Sequence, residues 1–168
     1  MNRVRALSVP TRLIAFCLIF LYPFAALAAA DNGDVTVKDV KVAFVDQNLV
    51  VLLIVDNRAM AIHVDSTVAA SIHSVLSRTP TRRPLSHDLM RLILLELDAK
   101  VTRAVITLKD KTYYADLTVA IGDRAIIFDC RSSDAIALAI LFKAPIVVAK
   151  GTWDLASRAW DEPEGETS

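Results

Sequence analysis

The 168-residue sequence holds two cysteines, and one of them, Cys17, falls in an N-terminal segment that reads as removable. Cys130 is then the only thiol left, so no intrachain disulfide can form and the fold must rest on its core. A zinc site is excluded as well, because one cysteine with His63, His73 and His87 at scattered spacings does not make a tetrahedral ligand set. A lone cysteine among apolar neighbours reads as an inert buried residue rather than a nucleophile. Net charge is also missing, since 19 basic and 19 acidic residues cancel. That excludes a strongly basic nucleic-acid binder, so any phosphate recognition has to come from a local cluster.

The first thirty residues stand apart. Arg3, Arg5 and Arg12 precede any acid, Leu13 to Phe24 is nearly continuous apolar sequence, and small residues follow up to Ala30. A basic start, a short apolar stretch and an A-x-A site form the signature of a secretory signal peptide. The apolar stretch is shorter than the ~20 residues a spanning helix needs, and Pro23 interrupts it. The expectation is therefore a signal peptide over 1–30, export to the periplasm or the medium, and no stable membrane anchor after cleavage. Without that segment 16 basic residues face 19 acidic ones. Four of those acids, Asp161, Glu162, Glu164 and Glu166, sit in a tail over 161–168 expected to be disordered.

Residues 31–160 read as one domain, and about that length suffices for one good core. Val35 to Val45 reads as a strand, Leu49 to Val55 as a buried strand, and Ala59 to Val64 as a third, with polar turns between them. Asp65-Ser66-Thr67 offers a cap for a helix through Leu76. Pro84 or Ser86 opens a second helix, whose stripe Leu89, Leu92, Ile93 and Leu97 is expected to be its buried face. Val101 to Leu108, Thr112 to Ala120 and Arg124 to Asp129 read as three more strands. Ser132 or Ser133 then caps a helix from Asp134 to Phe142 that is apolar on every side and so belongs at the centre. Pro145 to Ala149 is a last strand, and Trp153 to Trp160 a short helix. The fold class is α+β, with mixed or antiparallel sheets and helices. Each half reads strand, strand, strand, capped helix. A shift of 66 residues sets Val68 on Asp134 and Ile72 on Leu138, which suggests a degenerate duplication of a βββα unit rather than a solenoid.

Two polar clusters lie at helix starts. One is Arg82-Arg83-Pro84-Leu85-Ser86-His87-Asp88-Leu89, and the other runs Asp129-Cys130-Arg131-Ser132-Ser133-Asp134. Free backbone N–H groups and the helix dipole favour an anion there. The anion can be a phosphate, or it can be the protein's own carboxylates, with Asp88 and Asp134 simply stabilising first helical turns. His87 suits proton transfer because imidazole is the side chain made for it at neutral pH. Asp129, Asp134, Asp88 and His87 would hold a divalent cation such as Mg²⁺ if the fold gathered them.

The segment Arg83-Pro84-Leu85-Ser86-His87-Asp88-Leu89, then Val101 to Leu108, Tyr113-Tyr114-Ala115 and Asp129 to Ala139 resembles the bifunctional nuclease domain family. The usual family pattern is R-P-L-T-H-D-L, followed about forty residues later by D-x-R-P-S-D-A-I-A-L-A. The resemblance implies nuclease activity on DNA and RNA, an α+β fold and homo-oligomers. It implies His87, Asp88, Asp129 and Asp134 as catalytic groups, Arg83, Arg131 and Ser133 as phosphate ligands, and Asp129 and Asp134 as candidates for a metal. The sequence departs from the pattern where the family has W-I-G-x-x-E-A. Here the segment is His63-Val64-Asp65-Ser66-Thr67-Val68-Ala69, with Val68 in place of the glutamate, and Ser132 replaces the proline of the second motif. If the family site uses both acids, one is lost here, and the alternative is a degenerate member serving as an oligomeric ligand- or partner-binding module.

The signal reading is checked by N-terminal sequencing of the exported protein, which should begin at Ala29 or Asp31. Recovery of Met1 on a membrane-bound form would reject it.

Overall fold

In the computed structural model, residues 33–79 and 81–160 are described. The segment read as a signal peptide and the acidic tail lie outside them. Strand β1 (Val35–Thr36) is followed by a three-stranded meander, β2 (Asp39–Val45), β3 (Asn48–Val55) and β4 (Arg58–His63), and then by helix α1 (Ser66–Leu76). Helix α2 (Ser86–Glu96) leads into a second meander, β5 (Ala99–Lys109), β6 (Thr112–Ile121) and β7 (Arg124–Arg131), and helix α3 (Ser132–Phe142). Strand β8 (Ile146–Val148), helix α4 (Lys150–Ala156) and strand β9 (Arg158–Ala159) complete the order. The class is α+β, as the sequence predicts.

The strands form two sheets, one ordered β1-β8-β5-β6-β7 and the other β2-β3-β4-β9. Pairing is antiparallel except for β5 with β8, which is parallel. The meanders are local because their turns carry the left-handed conformation that tight hairpins require. Asp46 and Gln47 close β2–β3 at φ of 47° and 63°, and Asp110 and Lys111 close β5–β6 at 50° and 63°. The second turn of each meander has one left-handed residue, Asp56 at 53° and Gly122 at 54°. Element order and turn geometry thus recur in the two halves.

Four sequence expectations need correction. Val35 to Val45 is not one strand, because β1 and β2 belong to different sheets, with the Val37 amide bonded to Ile146 and the Lys38 amide to Ile54. Trp153 to Trp160 is not a helix, because α4 starts at Lys150, contains Gly151 and ends at Ala156, after which β9 pairs with β4. The cap of α3 is Arg131, and Ser132 is already helical, with no side-chain cap bond. The stripe Leu89, Leu92, Ile93 and Leu97 is exposed rather than buried.

The main core gathers Val51, Leu53, Met60 and Ile62 of one sheet and Ala104, Ile106, Ala115 and Leu117 of the other. Val68 and Ile72 of α1 and Ala135 to Ala139 of α3 lie in the same cluster. Helix α3 touches β4, β5, β6, β7 and both longer helices, the central place its lack of a polar face requires. Its alanines let those neighbours approach closely. Leu138→Ala should cost about 2–5 kcal/mol, because the leucine is buried and its neighbours can close the cavity only in part. A denaturant midpoint unchanged within error would show the helix to be peripheral.

Candidate functional site

The three longer helices bring their N-terminal ends together. Asp65 caps α1, its Oδ1 accepting from the amides of Thr67 and Val68 at 2.9 Å each. Arg131 occupies the same cap position on α3. The two cap residues face each other, with Arg131 Nη1 3.7 Å from Asp65 Oδ2. Val68 and Asp134 are the third residues of their helices, so the position that carries an acid on α3 carries a buried valine on α1.

Asp134 is the hub. Arg131 grips it with two donors, Nε to Oδ2 at 2.7 Å and Nη2 to Oδ1 at 2.9 Å. His87, in the first turn of α2, bonds Oδ1 from behind through Nε2 at 3.2 Å. Its other ring nitrogen meets Ser71 Oγ of α1 at 3.1 Å. His87 is 3 % exposed and Ser71 equally closed. A neutral ring donates Nε2–H to the carboxylate and accepts the Ser71 hydroxyl at Nδ1. A doubly protonated ring donates at both nitrogens and leaves the hydroxyl to the Thr67 carbonyl, 3.1 Å away. Either way the chain Ser71–His87–Asp134–Arg131–Asp65 pins the starts of α1, α2 and α3 to one another. No buried side-chain nitrogen or oxygen among the described residues lacks a partner.

Burial pushes the Asp134 carboxyl up, but the hydrogen bonds from Arg131 and His87 and their charges outweigh it, so the net shift is downward. The hydrogen bond to Asp134 in turn raises Arg131 above the ordinary arginine value. Cys130 is half-buried, with its Sγ 3.7 Å from the Ala115 carbonyl. Burial first, then the charges of Asp134, Asp129 and Asp116, push this thiol up to about 11.

A cleft of about 430 Å³ opens beside this network. Its lining includes His63, Asp65, Lys111, Tyr113, Arg131 and Ser133. Lys111 comes from the β5–β6 turn and His63 from the end of β4. Of the residues singled out by sequence, Arg131 and Ser133 border the cleft and Asp134 stands behind Arg131. His87 is shut in on the far side of Asp134. Asp88 closes its own helix start, accepting from the Leu85 amide at 2.9 Å. Asp129 is exposed on β7 opposite Asp116, and Arg83 is exposed in the segment before α2. Neither borders the cleft. Among the described residues no three His, Cys, Asp or Glu side chains are placed to hold a metal ion, so the donor set does not fit the divalent site the motifs suggest. His63, Lys111 and Tyr113 were not legible as site residues. Lys111 reads as an ordinary turn residue, and only the fold sets it beside Arg131.

The profile of the bifunctional nuclease domain matches residues 50–159. The chain belongs to the bifunctional nuclease domain family. Both motif segments and every residue of the helix-start network lie inside the matched span. Two similar sequences are Uncharacterized protein MT1877 of Mycobacterium tuberculosis (strain CDC 1551 / Oshkosh) and Uncharacterized protein Rv1829 of Mycobacterium tuberculosis (strain ATCC 25618 / H37Rv). Each is 33 % identical over 120 residues, covering 69 % of this chain and 71 % of the relative. In this bifunctional nuclease domain, the motif histidine and the second motif's last acid are bonded to each other.

The lowered Asp134 carboxyl sets a sign for acid stability. Its contribution is complete above the unfolded value near 3.8 and is lost as pH falls below that through the lower folded value. Urea titrations of wild type and Asp134→Asn between about pH 7 and pH 2.5 should therefore differ most at the neutral end and converge in acid. A constant gap across the range would remove the ionised carboxylate from the account. His87→Ala, which strips Ser71 and Asp134 of a buried partner, should cost about 1–3 kcal/mol at neutral pH.

Proposed function

We propose that this domain binds nucleic acid and hydrolyses its phosphodiester bonds in the cleft bordered by Arg131 and Lys111. The observation that carries this reading is the meeting, in one open cleft, of two cations with the N-terminal end of α3. A phosphate oxygen lying there meets Arg131 Nη1, the guanidinium nitrogen that Asp134 leaves unbonded, the Lys111 ammonium and the first-turn amides of a helix whose dipole favours negative charge. Asp134 and His87 hold the guanidinium in one orientation, so little reorganisation is needed as charge builds on the phosphorane. His87 is a positioning residue in this proposal. His63, which borders the cleft while Asp65 is committed to capping α1, takes the proton from an attacking water. The water oxygen bonds to phosphorus, one P–O ester bond breaks, and the departing oxygen collects a proton from solvent. DNA and RNA share the phosphate chemistry that this cleft addresses. The Arg-rich start, short apolar stretch and alanine cluster at the N-terminus support export as the setting.

A second reading rests on Val68. With valine where the family pattern has glutamate, and where α3 carries Asp134, the domain would bind a phosphate-bearing ligand without cleaving it.

The test incubates purified chain with labelled single-stranded DNA and RNA, with Mg²⁺ or with EDTA, and follows cleavage on gels and binding by anisotropy. Arg131→Ala, Lys111→Ala and His63→Ala should each lower cleavage by about 10- to 1,000-fold. The His63 variant should keep binding, and the other two should lose it. Binding without cleavage in wild type would select the second reading, and neither activity would overturn both.

A further inference from the structure

A second cleft, of about 550 Å³, opens between the C-terminal end of α1 and the N-terminal half of α2. It shares no lining residue with the first. Asp65, on the rim of the first cleft, and Arg78, on the wall of the second, stand at opposite ends of α1, whose 11 residues rise about 16 Å.

Two cations line this second cleft. Arg78 follows the last turn of α1 at φ 55°, the left-handed position that glycine usually fills at a helix end. A side chain there costs backbone energy that glycine would not, and here the side chain is a guanidinium on the cleft wall. Arg91 is half-buried, with its guanidinium 6.0 Å from the centre of the Phe142 ring. Stacking steadies the guanidinium plane and leaves the N–H donors around its edge. Neither guanidinium has an ion pair or a hydrogen-bonded acceptor among the described residues. The one acid on the lining, Asp88, has Oδ2 engaged by the Leu85 amide. A partly desolvated cation without a counter-ion favours an anion that enters from solvent.

We propose that this cleft is a second phosphate site, one that takes a nucleoside phosphate, with the phosphate on Arg78 and Arg91 and the base along Val75, Pro84 and Leu92. A tetrahedral phosphate offers acceptors to two guanidinium forks at once, whereas a planar carboxylate is filled by one. Thr79 adds a hydroxyl beside Arg78, and the three apolar residues give the base a dry wall. The volume falls in the ~300–1,000 Å³ range of small-molecule sites. The phosphate can belong to a free nucleotide or to the end of a strand. The site does not rest on cleavage in the first cleft, and it stands or falls by binding.

The test titrates adenosine monophosphate into an Arg131→Ala/Lys111→Ala chain, whose first cleft is disarmed, and follows binding by calorimetry. The nucleotide should bind, and adenosine should bind at least about tenfold more weakly because it lacks the charged group. Adding Arg78→Gly or Arg91→Gln should also weaken the nucleotide at least about tenfold. Arg78→Gly relieves the helix end, so its loss of binding should come with a thermal midpoint unchanged or raised. Single-stranded DNA of about 12 nucleotides separates the two sources. With Arg78→Gly in the wild-type background, weaker strand binding assigns the site to a strand end, and unchanged strand binding assigns it to the free nucleotide. Either result upholds the site. No nucleotide binding to the disarmed chain at about 1 mM would overturn it. So would binding indifferent to both Arg78→Gly and Arg91→Gln, or equal binding of adenosine.

Discussion

Helix α3 offers water no face along Ala135 to Ala139, and the domain is arranged to cover it. The sheet containing β5, β6 and β7 lies along one side, and α1 and α2 flank it. A helix covered on every side still has two ends, and its N-terminal amides need partners. The polar residues of this domain collect at that end. Asp134 stays in the first turn, where the dipole favours it, and draws in Arg131 from its own cap and His87 from α2. The helix-start network is thus the polar counterpart of an apolar centre, and the cleft lies at its rim.

The same arrangement explains why the motif histidine and the motif acids have different surroundings. His87 meets two partners in a closed space, so its chemistry is to hold. Arg131 is exposed, with one nitrogen only loosely engaged by Asp65, so its chemistry is to reach. Fixing an exposed guanidinium through a buried histidine gives a rigid cation at the protein surface without the full desolvation cost of burying it.

Much of the fold was written in local pattern. The β-branched run Leu49 to Val55, the polar pairs at Asp46 and Asp110, the Asp65 cap and the all-apolar α3 each specify their own geometry within a few residues. What sequence could not supply was pairing at a distance. Strand β8 has three residues and no alternation to read, yet it sits between β1 and β5. Helical periodicity gave the apolar stripe of α2 correctly and its direction wrongly, because a period fixes which residues share a face and not what that face meets. His63 and Lys111 lie 48 positions apart in neutral contexts, so nothing local marks them as neighbours of Arg131.

Cys130 shows how the acidic surroundings of this site reach beyond phosphate chemistry. A thiol pushed up to about 11 stays protonated at neutral pH, and only the thiolate attacks disulfides or peroxides. The folded domain therefore resists mixed-disulfide formation, and copies purified without reductant should stay free of covalent pairs through this residue. The thiol is kept chemically quiet first by its own burial and then by the charges of Asp134, Asp129 and Asp116.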